Sequence, residues 1–220
     1  MADSVYIPGL AARGRESSSV PRHSAMVRVT HWVHALSLVG LVVSGVGILV
    51  AHPRFYWGET GGVGMPSLFD LPLPFLLGGP SGWGRSLHFQ SAWVCVLTGL
   101  VYVASGLLNR HFSGDLSPVK EDPGDGYNLL QRITYLAVIF FLLPLMIWTG
   151  LAMSPGFNSA VPATVNLLGG RQSARTLHFA VSIALLLFLV VHIAMVVLAG
   201  FGSRMRAMIT GRVAVPEERR

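Results

Sequence analysis

Of the eight histidines in this 220-residue chain, four sit at positions that suit metal chemistry. His178 and His192 are 14 residues apart in one apolar run. At 100° per residue that spacing falls within about 40° of whole helical turns, so both imidazoles share a face, about 21 Å apart along the axis. His31 and His88 each stand near the start of another apolar run. If the runs cross a membrane alternately, His31 lies at the depth of His192 and His88 at the depth of His178. Two pairs then arise at two depths, each with one imidazole from the last helix and one from elsewhere. Facing histidines in a bundle core can ligate haem iron from both sides, and two such haems across a bilayer form an electron path. No Cys-x-x-Cys-His is present, so covalent attachment is excluded and non-covalent b-type haem is expected.

A second regularity accompanies the first. Arg28-Val29-Thr30-His31-Trp32, Arg85-Ser86-Leu87-His88-Phe89 and Arg175-Thr176-Leu177-His178-Phe179 share the order Arg, two residues, His, aromatic. An Arg three residues before a helical His lies on the same face, one turn nearer water. Its planar fork of donors suits a carboxylate, which makes Arg28, Arg85 and Arg175 candidates for haem propionates; snorkelling to lipid headgroups is the plainer alternative. Any one of the histidines could instead be a hydrogen-bonded packing residue or a proton relay. His34, one turn inside His31, is the rival ligand on the first helix and otherwise a haem neighbour, quinone ligand or proton carrier.

The elements that must position these groups are read from composition. The chain is 52% hydrophobic and 12% charged, with one Cys, Cys95. That excludes general disorder, a disulfide scaffold, a zinc ribbon and a cysteine-ligated iron–sulfur protein. Cys95 reads as a small buried hydrophobe. Four runs, 32–51, 87–108, 133–153 and 177–201, contain no Asp, Glu, Lys or Arg. Each is long enough to span a bilayer. The expected fold is all-α: a transmembrane four-helix bundle with two b-type haems stacked across the membrane, occupying residues 25–212. Residues 1–24 are expected to be a disordered cytoplasmic tail and residues 213–220 a C-terminal tail. Twelve Lys and Arg fall on the side of the two termini and four on the other, which places both termini in the cytoplasm. The basic residues lie between apolar runs, so no nucleic-acid surface is expected. Pro144 is expected to kink the third helix. Ser44-Gly45 serves either close helix packing or room for a porphyrin. The apolar outer connection, 52–84, with Leu71-Pro72-Leu73-Pro74-Phe75-Leu76-Leu77, either rests in the headgroups or docks a partner.

These residues resemble the membrane-bound di-haem b-type cytochrome subunits of nickel–iron hydrogenases, formate dehydrogenases and thiosulfate reductases, the thiosulfate reductase branch most of all. The resemblance spans about residues 25–212. It rests on the three Arg-x-x-His segments, on Tyr127-Asn128 with Gln131, on Pro144 to Pro155, and on Gly169-Gly170-Arg171-Gln172 leading to His178-Phe179. It implies His88 with His178 on the outer haem and His31 with His192 on the inner one, the pairing reached from depth. It further implies a bacterial inner (plasma) membrane, exchange with the respiratory quinone pool, and a periplasmic redox subunit, often a molybdopterin oxidoreductase. This makes the chain an electron-transfer subunit rather than an enzyme on its own. His34, Asn128, Gln131, Arg132 and Tyr135 are the polar candidates beside a quinone at the cytoplasmic interface. The rivals are a stand-alone superoxide:quinone oxidoreductase of similar architecture and, in a non-redox class, a small transporter or assembly factor.

Overall fold

The computed structural model describes residues 19–21, 23–62, 64–73, 81–108 and 129–214. Four helical spans are long and apolar enough to cross a membrane. Helix α1 is Ala25–Ala51 and α2 is Ser81–Leu108. The third span is α3 (Leu129–Ala137), a π-helical turn (Val138–Leu142) and α4 (Leu143–Ala152). Two short helices follow, α5 (Pro155–Ala160) and α6 (Pro162–Leu167), each opened by a proline whose missing N–H costs nothing at that position. Then come α7 (Arg171–Leu198) and α8 (Phe201–Thr210).

The helices extend beyond the apolar runs at their N-terminal ends because the first turns tolerate polar residues. In α1 the Ser24 hydroxyl accepts from the Val27 N–H at 3.3 Å, satisfying one of the unpaired donors of a helix start. The same helix stops at His52, which precedes Pro53 and is thereby biased out of the helical region. Pro144 acts one turn earlier than a simple kink. It cannot donate to the carbonyl four residues back, and the chain accommodates it with a π turn, in which the Leu143 N–H reaches the Val138 carbonyl. The last span ends three residues before the expected limit of 201. Gly200, at φ +93°, turns the chain from α7 into α8.

The spans form two antiparallel hairpins. In the first, Gly40 lies against Ser91, Ser44 against His88 and His34 against Gly99. In the second, Thr149 meets His178 while Tyr135 meets Phe188 and His192. The main packing is α1 on α2 and α4 on α7; among the described residues no comparable helix packing joins one hairpin to the other.

The two ends of the bundle are built differently. At one end, the loop end, strands β2 (Arg54–Phe55) and β3 (Phe69–Asp70) form an antiparallel ladder with Arg54 opposite Asp70. Phe55 is buried between Phe69 and Phe179, with ring centroids at 4.7 and 4.6 Å. The Thr176 hydroxyl donates to the Tyr56 carbonyl at 2.7 Å. The segment also caps α7, which has no capping side chain of its own. The Glu59 carboxylate accepts from the Arg171 N–H, and the Gly58 carbonyl accepts from Gln172 and Ser173. Only glycine fits at 170: φ is +105°, and a Cβ would stand 2.7 Å from backbone atoms of Gly58 and Glu59. The first part of the outer connection therefore packs on the bundle itself, while residues 74–80 of its apolar stretch lie outside the described residues. A compact apolar cluster of Ala152, Val165, Leu168 and Ala174, joined by Trp148, Met153 and Leu177, completes this end.

At the other end, the clasp end, β1 (Ser19–Pro21) pairs antiparallel with β4 (Arg212–Ala214). This ladder places residues 19–21, within the expected 1–24 tail, in a strand, and extends secondary structure past 212 to Ala214. Helix α8 leaves α7 and reaches α1, where the Trp32 indole donates to the Met208 carbonyl at 3.2 Å and Arg28 to the Ile209 carbonyl at 2.5 Å.

Candidate cofactor site between the two hairpins

The four histidines singled out by spacing face one another in two pairs across the gap between the hairpins. Near the loop end, His88 of α2 and His178 of α7 have ring centroids 6.3 Å apart with planes at 62°. Near the clasp end, His31 of α1 and His192 of α7 are 6.4 Å apart at 48°. An imidazole–metal bond is about 2 Å and the ring centre lies ~1.1 Å behind its nitrogen, so two imidazoles on one iron place their centroids about 6 Å apart. Both pairs meet that separation.

At the loop end the tautomers follow from hydrogen-bond accounting. The Ser44 hydroxyl lies 2.6 Å from the Gly40 carbonyl and 3.0 Å from His88 Nδ1. Two oxygens at 2.6 Å need a proton between them, so the single hydroxyl proton goes to the carbonyl and Nδ1–H donates to Ser44. Thr149 repeats the arrangement: it donates to the Leu145 carbonyl at 2.8 Å and accepts from His178 Nδ1–H at 3.0 Å. In both imidazoles Nε2 is left unprotonated and able to ligate a metal. Gly150 permits the close seat of His178, since a Cβ there would lie 3.3 Å from Cε1. The hairpin gap, the separation of the pairs and the freed Nε2 atoms together fit a flat bis-imidazole group such as haem.

The other candidates are distributed as follows. His34 turns away from His192: its Nδ1–H donates to the Thr30 carbonyl at 2.8 Å, and its Nε2 points toward Gly99 of α2. Tyr135 lies 6.4 Å from the His192 ring, and Phe188 stacks on that ring at 6.0 Å. Gln131 and Arg132 fall in the first turn of α3, and Asn128 lies outside the described residues. Arg85 and Arg175 converge on His52. Arg85 Nη2 is 3.3 Å from His52 Nε2, while Arg175 donates to the His52 carbonyl and lies over the Phe55 ring. Burial, and then the charges of Arg175 and Arg85, hold the His52 pKa below its ordinary value. Arg28 donates to the Ile209 carbonyl, and its Nε is buried without a hydrogen-bond partner among the described residues.

Sequence reasoning gave Ser44 only packing or porphyrin room and did not single out Thr149. A signal was present. Ser44-Gly45 precedes Arg85-Ser86-Leu87-His88-Phe89, as Thr149-Gly150 precedes Arg175-Thr176-Leu177-His178-Phe179, so the two hairpins repeat one pattern.

Comparison with known proteins agrees with this architecture. Residues 22–211 match the family described as prokaryotic cytochrome b561. The chain is 32% identical over 193 residues to the putative protein-methionine-sulfoxide reductase subunit YedZ1 of Azospira oryzae, covering 80% of this chain and 90% of that protein. It is 26% identical over 186 residues to the formate dehydrogenase cytochrome b556(fdo) subunit of Escherichia coli K12, covering 81% and 79%. No solved structure matches. With four membrane-spanning helices and a match over most of its length, the chain belongs to the prokaryotic cytochrome b561 family of multi-pass bacterial membrane cytochromes b.

Proposed function

We propose that this chain is a di-haem electron-transfer subunit linking the quinone pool to a redox partner on the periplasmic side. His88 and His178 hold one haem b near the periplasm, and His31 and His192 hold the other near the cytoplasm. The observation that carries the reading is the pair of facing imidazoles at each depth, at the separation one iron requires. Bound haem supplies one-electron exchange at its iron; the chain supplies placement. Arg85 and Arg175 at the loop end and Arg28 at the clasp end are the residues to receive propionates. Tyr135 beside His192, with Gln131 and Arg132 on the same helix, forms the candidate quinone neighbourhood, and His34, turned toward α2, is a candidate on the other hairpin. The excess of Lys and Arg puts both termini, and so the clasp end, in the cytoplasm. The relatives are by name subunits of a sulfoxide reductase and a formate dehydrogenase, which supports an oxidoreductase partner; we assign it to the molybdopterin class.

The test is a reduced-minus-oxidised spectrum of the purified protein with haem quantitation, repeated on His178→Ala and His192→Ala. Two b haems per chain, one lost in each variant, is the expected result. A wild-type protein with no haem or one haem overturns it. Quinol-driven haem reduction unchanged by substitution of Gln131 and Arg132 would remove those two from the quinone neighbourhood.

A further inference from the structure

The two histidine pairs differ in one chemical respect. Both loop-end imidazoles donate Nδ1–H to a hydroxyl, His88 to Ser44 and His178 to Thr149, each at 3.0 Å. Among the described residues neither His31 nor His192 has a hydrogen-bond partner; their neighbours are Trp32, Tyr135 and Phe188 rings. Ser44 and Thr149 are both fully buried, so water does not compete for these contacts. Each hydroxyl is itself locked by donation to a carbonyl of its own helix, four residues back. Its lone pairs therefore present a fixed acceptor.

We propose that Ser44 and Thr149 are positioning residues that tune the loop-end haem alone. The inference rests on the coordination reading above. A ligand imidazole that donates its distal N–H becomes a better electron donor to iron, which favours the ferric state. The hydroxyls thus lower the potential of the loop-end haem, and among the described residues the clasp-end pair has no counterpart. They also fix the Nδ1–H tautomer of both rings, so a haem entering the site meets imidazoles whose Nε2 is already unprotonated. The matched hydroxyl-Gly pairs, Ser44-Gly45 and Thr149-Gly150, make this a property of both hairpins rather than of one side chain.

The experiment is a potentiometric titration of the purified holoprotein and of Ser44→Ala, Thr149→Val and the hydroxyl-retaining Ser44→Thr and Thr149→Ser. His192→Ala, which keeps only the loop-end haem, identifies its spectral band. The expected result is a rise in the loop-end potential in Ser44→Ala and in Thr149→Val. Each corresponds to a several-fold change in the reduction equilibrium, a tenfold change being about 59 mV for one electron. The double variant shifts further, the clasp-end haem stays in place, and Ser44→Thr and Thr149→Ser restore the wild-type value. Loss of the loop-end haem in Ser44→Ala but not in Ser44→Thr also supports the proposal. An unmoved loop-end potential, an equal shift of both haems, or loss of haem in the hydroxyl-retaining variants overturns it. Wild-type protein lacking two b haems, or His178→Ala keeping both, defeats the coordination reading instead.

Discussion

The loop-end and clasp-end histidine pairs have the same separation and opposite surroundings. At the loop end the rings are anchored by hydroxyls, α7 is capped by Gly58 and Glu59, and Phe55 is buried over the helix start. At the clasp end His31 is exposed on the protein surface, and among the described residues the neighbours of His192 are the rings of His31, Tyr135 and Phe188. The same facing pair of imidazoles occurs once in a closed, hydrogen-bonded seat and once in an open, apolar one. Under the proposed function, a closed seat suits a carrier that holds its potential while handing electrons to a docked protein, and an open seat suits exchange with a diffusible, apolar partner.

This contrast can be broken at several points. The largest effect is expected for His178→Ala against His192→Ala. Under the proposed coordination each loses one haem, but His178→Ala also removes the buried imidazole that donates to Thr149, so its melting temperature falls further in a detergent thermal melt. Equal losses would mean that the anchoring adds nothing to stability. Next is Phe55→Ala, where truncating a buried aromatic side chain costs about 3–5 kcal/mol. Limited proteolysis within residues 52–73 should accelerate while the clasp-end haem spectrum is unchanged. Gly170→Ala should cost about 3 kcal/mol through backbone strain and displacement of the capping segment, read in the same melt. Trp32→Phe removes one hydrogen bond from the clasp, worth about 1 kcal/mol. Amide exchange at Met208–Gly211 should rise severalfold with none at the loop end.

The smallest effect is a pH dependence. His52 is held below its ordinary pKa, chiefly by burial and then by Arg175 and Arg85. The unfolded chain therefore binds the proton more readily than the folded one, and the contribution is complete above the unfolded value of about 6.5 and lost as pH falls through the folded value. Melting temperature should decline on acidification in this window, and His52→Gln should flatten the decline. An identical slope in that variant would clear His52 of any role.

Much of the site was legible because helices convert spacing into depth and face. The 14 residues between His178 and His192 determine by themselves that both rings share a face at two depths, and four uncharged runs determine the number of spans. The choice between His31 and His34 was less legible. Three residues apart, they share roughly one face by periodicity, yet one turns toward α7 and the other toward α2. Their divergence depends on which neighbour each side of α1 meets. The first part of the outer connection was illegible for a related reason: its composition suits lipid, partner or self-packing alike, and the contacts of Phe55 with Phe179 and of Gly58 with Ser173, over a hundred residues away, select the last for that part.

The amino-acid sequence alone determined the membrane class, the four spans and the relative depths of His31, His88, His178 and His192, because these depend on hydropathy and on the rise and pitch of a helix, which are local. The tertiary structure alone decided that Ser44 and Thr149 hold the rings of His88 and His178, that the loop closes over α7, and that α8 returns to α1. Each of these joins groups distant in the chain, and a hydrogen bond tolerates errors of tenths of an ångström that no periodicity can specify.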